Sequence, residues 1–169
     1  MRAGMRKWSR AATSISAGVP TKSSKACASA RCFVPCTIAI ASTTRGVPLD
    51  GIGFQAHVSL KFDDPAKLES FAKNLDRFAK LGLELHITEL DIRLSDSSAE
   101  SLSAQAKLYG EITTACVRQP ACKLLQTWGF TDKHSWIPQF YKGQGWALLW
   151  DEKYQKKPAY EAIRSALVH

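Results

Sequence analysis

From Gly51 onward, segments with the period of a β-strand alternate with segments that have the period of an α-helix. Strands are predicted near 51–57, 83–90 and 123–129, and helices near 65–81, 101–117 and 157–167. Neighbouring parallel strands need a long crossover connection, so this alternation is typical of a parallel sheet covered by helices. The sequence therefore predicts an α/β fold for this part of the chain.

The first predicted helix has start and stop signals as well as the right period. Asp64 can cap the helix N-terminus, Pro65 suits the first helical position, and Gly82 suits the C-terminal cap. Between these signals the apolar residues recur at spacings of three and four, which places them on one face: Leu68, Phe71, Ala72, Leu75, Phe78 and Ala79. That face is expected to pack against the sheet.

The net charge of +8 comes from one end of the chain. Residues 1–44 contain seven Lys and Arg and no acid, whereas residues 45–169 contain the other 16 basic residues and all 15 acids, a net charge of +1. The nearly neutral part has no basic stripe with interleaved aromatic residues, so nucleic acid is not an expected partner. No stretch reaches the roughly 18 consecutive apolar residues of a membrane span, so no membrane partner is expected either.

Residues 1–44 are rich in Ser, Ala and Thr and have no sustained period, so we expect a separate, unstructured segment. An acid-free, Arg- and Ser-containing segment resembles an organelle transit peptide, which would indicate a mitochondrial or plastid protein. The stretch CFVPCTIAIA (32–41) resembles a signal-peptide core, although Pro35 interrupts it and it begins far from the start. The interpretation that we favour is an unstructured or spurious extension, such as translation from a wrong reading frame.

The carboxyl ends of the three predicted strands carry residues that are suited to chemistry or to sugar stacking. These residues are Gln55 and His57, Glu89 and Asp91, and Trp128. In parallel α/β sheets the functional side chains collect at this edge. We therefore expect the functional site to lie there.

The second strand alternates with period 2, which would place both acids on the face already marked by apolar residues: Leu83, Leu85, Ile87, Glu89 and Asp91. Inward carboxylates are costly unless they are paired or hydrogen-bonded. His57 is the expected partner, because its two ring nitrogens can bridge Glu89 and Asp91. The alternative is a purely structural ion pair that closes the mouth of a barrel.

Four stretches together resemble the C-terminal part of a glycoside hydrolase family 10 endo-xylanase. They are RGVPLDGIGFQAH (45–57), HITELDI (86–92), CVRQPACKLLQTWGFTDKHSW (116–136) and ALLWDEKYQKKPAYEAI (147–163). The resemblance covers nearly all of residues 45–169, and residues 1–44 show none. It implies a partial (β/α)8 TIM barrel in which the three strands are the sixth, seventh and eighth.

The resemblance also implies a retaining hydrolysis of β-1,4-xylosidic bonds in xylan or xylo-oligosaccharides, without cofactor or metal. Glu89 would be the catalytic nucleophile, and His57 and Asp91 would orient it and tune its charge. Gln55 would contact the substrate, and Trp128 and Trp136 would form walls on which xylose rings stack. The alternative for both tryptophans is core packing.

The cysteines carry a further implication of the resemblance, because the family often bridges the pair Cys116 and Cys122. A disulfide would suit a secreted enzyme. The alternative for this pair is two buried thiols. The remaining cysteines lack the spacings and nearby His of common zinc sites and are expected to be incidental: Cys27, Cys32 and Cys36.

One departure from the family pattern bears on activity. A retaining glycosidase needs a second carboxyl group as acid/base, and the Trp-Asp-Val-Val-Asn-Glu-like stretch that carries it in this family is absent here. We therefore expect an impaired fragment of a xylanase, with an unpaired sheet edge that favours aggregation or association. The alternative is a non-catalytic fragment that retains a carbohydrate-binding surface.

Overall fold

The structure is a computed structural model, and it describes residues 50–168. The predictions of a separate and unstructured segment at residues 1–44 lie outside the described residues. No helix within residues 50–168 is both long enough and apolar enough to cross a membrane.

The described chain contains four strands: β1 (Gly51–Phe54), β2 (His57–Ser59), β3 (Glu84–Arg93) and β4 (Cys122–Thr127). Its α-helices are α1 (Pro65–Ala79), α2 (Ala99–Arg118), α3 (Ile137–Phe140) and α4 (Pro158–Val168). Short 3₁₀ turns lie at Leu60–Phe62 and Asp132–His134. The three long helices match the predicted ones to within about two residues at most ends, and α3 lies in a stretch for which no helix is predicted.

Helix α1 begins where the sequence signals indicated, and it ends at Ala79 with Lys80 as its C-terminal cap, shortly before the predicted cap at Gly82. The Asp64 carboxylate accepts a hydrogen bond from the Ala66 N–H at 2.9 Å, and Pro65 occupies the first turn. Such a cap satisfies a backbone donor that has no partner inside the helix. Gly82 follows the helix with φ of +78°, a conformation that glycine adopts without steric cost.

All strand pairs in the sheet are parallel, which confirms the prediction from the alternating pattern. Strand β3 lies in the middle, with β4 on one side and with β1 and β2 one after the other on the opposite side. The predicted strand 51–57 is therefore interrupted at Gln55 and Ala56. Ala56 has φ of +62°, which breaks the regular extended backbone at that point.

The core lies between the sheet and the helices. Its largest fully buried side chains come from α1, β3 and α2 and include Phe71, Leu75, Phe78, Leu85, Ile87, Leu90, Ile92, Leu108, Tyr109 and Ile112. Helix α4 packs along α2, and a Cβ added to Gly110 would lie 3.7 Å from the Cβ of Ala162. On the opposite face of the sheet, His57 and Glu89 contact each other and are half-buried. The helices thus cover one face and leave the other accessible.

A β-bulge in β3 changes which residues point to which face. Phe54 of β1 pairs with Ile87, and His57 of β2 pairs with Asp91. The two residues between Phe54 and His57 therefore lie opposite the three residues between Ile87 and Asp91. The register against β4 shifts over the same stretch of β3. One extra residue therefore sits in β3 just where the HITELDI motif lies.

This bulge corrects the predicted face of the two acids in HITELDI. Before the bulge the buried apolar side chains are Leu85 and Ile87, and after it they are Leu90 and Ile92. An insertion of one residue exchanges the two faces of a strand. The side chains that face the helices are therefore at odd-numbered positions before the bulge and at even-numbered positions after it. The acids consequently lie on the opposite, accessible face and not on the face of Leu85 and Ile87.

A disulfide joins the end of α2 to the start of β4. Cys116 and Cys122 are six residues apart in sequence, and their Cα atoms are 5.3 Å apart. Both residues are buried at the edge of the core. The bridge closes the turn between the two elements.

Candidate active site

The structure brings five of the six predicted site residues into one contact network on the accessible face of the sheet. His57 begins β2, Glu89 and Asp91 lie on β3, and Trp128 and Trp136 follow β4. Gln55, the sixth, is exposed and lies two residues before His57. The parallel arrangement explains the cluster, because it brings the carboxyl ends of neighbouring strands to one edge.

The imidazole of His57 bridges the two acids. Its Nδ1 lies 2.8 Å from Asp91 Oδ2, and its Nε2 lies 3.1 Å from Glu89 Oε2. With a carboxylate at each ring nitrogen, the protonated imidazole can donate to both, and its fixed orientation holds Glu89 in place. Glu89 and His57 remain partly accessible, whereas the side chain of Asp91 is 1% exposed.

The pKa of His57 is raised above its usual value. Burial disfavours the imidazolium, but the hydrogen bonds and charges of Asp91 and Glu89 together outweigh burial. The predicted pairing of this histidine with both acids therefore stabilises its charged form. The same pairing gives one oxygen of Asp91, Oδ2, a hydrogen-bond partner, and a buried carboxylate without any partner would be costly.

Asp91 has a second donor that the sequence did not suggest. The indole Nε1 of Trp136 lies 2.8 Å from Asp91 Oδ2, the same oxygen that His57 contacts. The other oxygen, Oδ1, is buried and has no hydrogen-bond partner within residues 50–168. The charge of Asp91 is thus shared by two donors at one oxygen.

The two tryptophans flank the histidine. The ring of Trp136 lies 5.0 Å from the His57 ring at an interplanar angle of 66°, and the ring of Trp128 lies 6.2 Å away at 84°. Trp136 is backed by Phe140 and Tyr141 at 5.1 and 5.7 Å. Trp128 is 46% exposed, so it offers a large apolar face to solvent. Neither tryptophan is a fully buried core residue.

A buried ion pair holds the segment that carries Trp136, and sequence analysis missed it. Lys157 Nζ lies 2.9 Å from Asp132 Oδ2, with 6% and 3% of the two side chains exposed. Asp132 Oδ1 accepts the Leu148 N–H at 2.8 Å, and Lys157 also donates to the Trp146 carbonyl at 2.6 Å. Both residues lie in polar stretches of the sequence, TDKHS and EKYQKK, which give no signal of burial.

Helix α2 contributes two buried polar side chains to the same support. Gln105 donates through Nε2 to the carbonyls of Ile92 at 2.7 Å and Trp146 at 2.6 Å. Tyr109, one turn later, donates its hydroxyl to the Ala147 carbonyl at 2.7 Å. Burial, together with the charges of Asp91 and Asp132, raises the Tyr109 pKa well above its usual value, so the phenol stays a donor. A Gln inside an apolar helix face is the only sequence signal for this contact.

The arrangement offers a carboxylate that is held by an imidazole and flanked by aromatic walls. Glu89 accepts from His57 through Oε2, which leaves Oε1 for a reacting partner. Within residues 50–168 no group of three or more His, Cys, Asp and Glu residues is arranged to hold a metal ion. A positioned carboxylate of this kind is suited to nucleophilic attack on an electrophilic carbon.

Comparison with protein families gives one match that covers most of the chain. The sequence profile of Glycosyl hydrolase family 10 matches residues 34–166. The match begins before Arg45, so it extends the family resemblance into residues 34–44, where sequence analysis found none.

Two curated relatives are similar over the same region. Endo-1,4-beta-xylanase B of Thermotoga neapolitana is 49% identical over 125 residues, which cover 73% of this chain and 35% of the relative. Endo-1,4-beta-xylanase A of Phanerodontia chrysosporium is 45% identical over 118 residues, which cover 69% of this chain and 28% of the relative. The chain thus spans about a third of the length of these relatives.

Solved structures resemble the chain in the same way. Xylanase 10B from Thermotoga petrophila RKU-1, in complex with xylobiose, has a TM-score of 0.72 and 47% identity, over 78% of this chain and 40% of that one. A glycosylated endo-beta-1,4-xylanase from Gloeophyllum trabeum has a TM-score of 0.71 and 37% identity, over 78% and 41%. At these identities both sequence and fold agree.

Proposed function

Because the chain belongs to glycosyl hydrolase family 10, we propose that it forms the nucleophile-bearing part of a retaining endo-1,4-β-xylanase. The observation that carries the proposal is the partly accessible Glu89 carboxylate, held 3.1 Å from His57 Nε2 at the carboxyl end of a parallel strand. Its proposed substrate is xylan or xylo-oligosaccharides. The disulfide between Cys116 and Cys122 favours a secreted protein.

The proposed fold is the last three β/α units of a (β/α)8 barrel. The interrupted strand β1–β2, strand β3 and strand β4 lie side by side in chain order and are all parallel. Consecutive strands of such a barrel have this arrangement, with helices outside and functional residues at the carboxyl ends. The accessible face of the sheet would then be the barrel interior.

In the proposed mechanism Glu89 attacks the anomeric carbon of the xylose ring at the cleavage point. The bond from that carbon to the glycosidic oxygen breaks, a covalent glycosyl-enzyme forms, and the departing oxygen takes a proton from a general acid. Water then attacks the same carbon, gives a proton to the residue that acted as general acid, and releases Glu89 as a carboxylate. His57 orients the glutamate before attack through its hydrogen bond to Oε2, and Asp91 holds the imidazole.

The aromatic residues and Gln55 would bind the sugar. Trp128 and Trp136 lie at steep angles to the imidazole and so form walls around the carboxylate. The C–H face of a xylose ring is apolar, which suits stacking on indole. The exposed amide of Gln55, two residues before His57, is available to the sugar hydroxyl groups.

The general acid is the part of this reaction that residues 50–168 do not offer. A retaining glycosidase needs its second carboxyl group about 5–5.5 Å from the nucleophile. Asp91 is fully buried and already engaged by His57 and Trp136, so it does not serve. General acid catalysis typically contributes about 10²–10⁴-fold, and we propose that this chain alone cleaves xylan slower by at least that factor.

Activated substrates test the proposal without the general acid. An aryl xylobioside with a strongly acidic phenol needs no protonation of its leaving group, so the chain should turn it over slowly. A 2-fluoro xylobioside with such a leaving group should trap the intermediate, and mass spectrometry of the digested protein should find the label on Glu89. Glu89→Gln should lose both, whereas Glu84→Gln, an exposed glutamate on the same strand, should keep both.

The outcomes separate the candidate functions. Label on another residue would show that the nucleophile is assigned wrongly. A folded chain that binds xylo-oligosaccharides but is neither labelled nor active would favour the non-catalytic carbohydrate-binding alternative. Cleavage of polymeric xylan at the rate of a complete enzyme would contradict the proposal that residues 50–168 offer no general acid.

A further inference from the structure

Trp136 makes a contact that a sugar platform does not need. Its indole Nε1 lies 2.8 Å from Asp91 Oδ2, and His57 Nδ1 lies 2.8 Å from that same oxygen. The stacking surface of an indole is its ring face, and a hydrogen bond at the ring edge does not add to it. The indole N–H therefore acts on Asp91 and not on a stacked sugar.

The indole is also held more firmly than stacking requires. It contacts His57 on one side and the rings of Phe140 and Tyr141 on others, at centroid distances between 5.0 and 5.7 Å. These contacts fix the direction of its N–H toward a carboxylate that is 1% exposed. Hydrogen bonds to an ionised group are stronger than neutral ones, and burial strengthens them further.

We propose that Trp136 is a positioning residue for Glu89 as well as a wall of the cleft. Its indole N–H and the His57 imidazole share one oxygen of Asp91, so the indole limits how strongly that carboxylate holds the imidazole proton. The imidazole in turn donates to Glu89 Oε2. The indole therefore acts on the nucleophile through these hydrogen bonds, because it sets how firmly Asp91 holds the imidazole that orients Glu89.

The charged groups around His57 within the described chain are few, which makes the effect measurable. Glu89 and Asp91 on β3 contribute to its titration, and the residues that pack on it after β4 are the uncharged Trp128 and Trp136. Below Asp91, the phenol of Tyr109 stays neutral. A change at the indole N–H should therefore reach the imidazole through Asp91.

The test is the pH titration of the His57 ring by NMR in the 169-residue chain, with His57→Gln to identify its signals among the four histidines. Trp136→Phe keeps an aromatic ring and removes the N–H, so Asp91 should hold the imidazolium more strongly. The His57 pKa should rise by about half a unit or more, a factor of about three in proton affinity. Trp128→Phe, the matched control, removes the other neighbouring indole and should leave the titration within about 0.2 of a unit.

The result that would overturn the proposal is a Trp136→Phe titration equal to, or lower than, that of Trp128→Phe. Should Trp136→Phe fail to fold, the unmodified chain gives the answer. The indole N–H signal of Trp136 should shift with the same midpoint as His57, whereas that of Trp150, which packs on Phe130 and Tyr160, should not. A Trp136 signal that does not change through the His57 midpoint would overturn the proposal.

This inference rests on the proposed role of Glu89, and its test can fail separately from that role. The nucleophile is identified by the fluorosugar label, which needs no His57 titration. The titration is measured without substrate, and so does not depend on hydrolysis. A labelled Glu89 with an unchanged His57 titration would retain the proposed function and reject the role of the indole N–H.

Discussion

Replacing Lys157 with Met should destabilise the fold strongly, because it leaves a buried carboxylate without its counter-ion. The substitution keeps most of the volume of the side chain and removes the ammonium that lies 2.9 Å from Asp132 Oδ2. Within residues 50–168, Asp132 would retain only the hydrogen bond from the Leu148 N–H, at 2.8 Å. The Trp146 carbonyl would lose the ammonium but keep the Gln105 amide.

The magnitude follows from the burial of both partners. Only 6% of the Lys157 side chain and 3% of the Asp132 side chain are exposed. Removing one partner of a buried ion pair typically costs about 3–5 kcal/mol, which is a large share of the stability of a small domain. We therefore expect the free energy of unfolding to fall by about 3 kcal/mol or more.

The double variant should recover much of that loss. Burial raises the pKa of Asp132 against the pull of Lys157, and burial lowers the pKa of Lys157 against the pull of Asp132. Both pKa shifts indicate that burial disfavours the charged form of each residue. In Lys157→Met the buried charge of Asp132 remains without its partner, whereas the double variant buries no charge at this position. Asp132→Asn combined with Lys157→Met keeps the acceptor for Leu148, and it should be more stable than Lys157→Met alone.

Urea unfolding followed by tryptophan fluorescence measures these differences. A matched control is Lys73→Met, which breaks an exposed i,i+4 pair with Glu69 on the surface of α1. That control should change the unfolding midpoint little, because exposed ion pairs are screened by water and salt. A Lys157→Met midpoint as high as that of the control, or additive effects in the double-mutant cycle, would refute the reasoning.

Two further predictions concern the disulfide and the site histidine. Reducing the Cys116–Cys122 bridge, or replacing both cysteines with Ser, should lower the free energy of unfolding by about 2 kcal/mol, since the closed loop is short; an unchanged urea midpoint in reductant would contradict this. Because the folded-state pKa of His57 is raised above 6.5, its contribution to stability should be fully present below about pH 6.5 and lost as pH rises through the folded pKa. Unfolding curves between pH 5 and 9 should show that slope in the unmodified chain and not in His57→Gln.

Much of the fold follows from local signals in the sequence. The cap at Asp64, the proline at position 65 and the glycine at position 82 mark the bounds of α1, because each acts on the backbone within a few residues. The alternation of strands and helices predicts the parallel sheet for a similar reason, since a crossover helix leaves little other choice. The proposal that His57 and Glu89 are site residues also follows from their place at strand ends.

The orientation of the acids depends instead on the tertiary structure. Period 2 placed both acids of HITELDI with Leu85 and Ile87, but the bulge in β3 turns them to the accessible face. A bulge is an offset between two paired strands, and its position depends on the register with neighbours that are far away in sequence. The amino-acid sequence of β3 alone does not show where the extra residue lies.

The support of the site is likewise a matter of long-range contacts. Asp132 and Lys157 are 25 residues apart, and Trp136 and Asp91 are 45 residues apart. The sequence gives no sign that Asp132 and Lys157 are buried, and it indicates only a stacking role for the indole of Trp136. Only folding removes water from Asp132 and Lys157 and brings an indole N–H to Asp91, and desolvation is what turns these ordinary polar residues into specific partners.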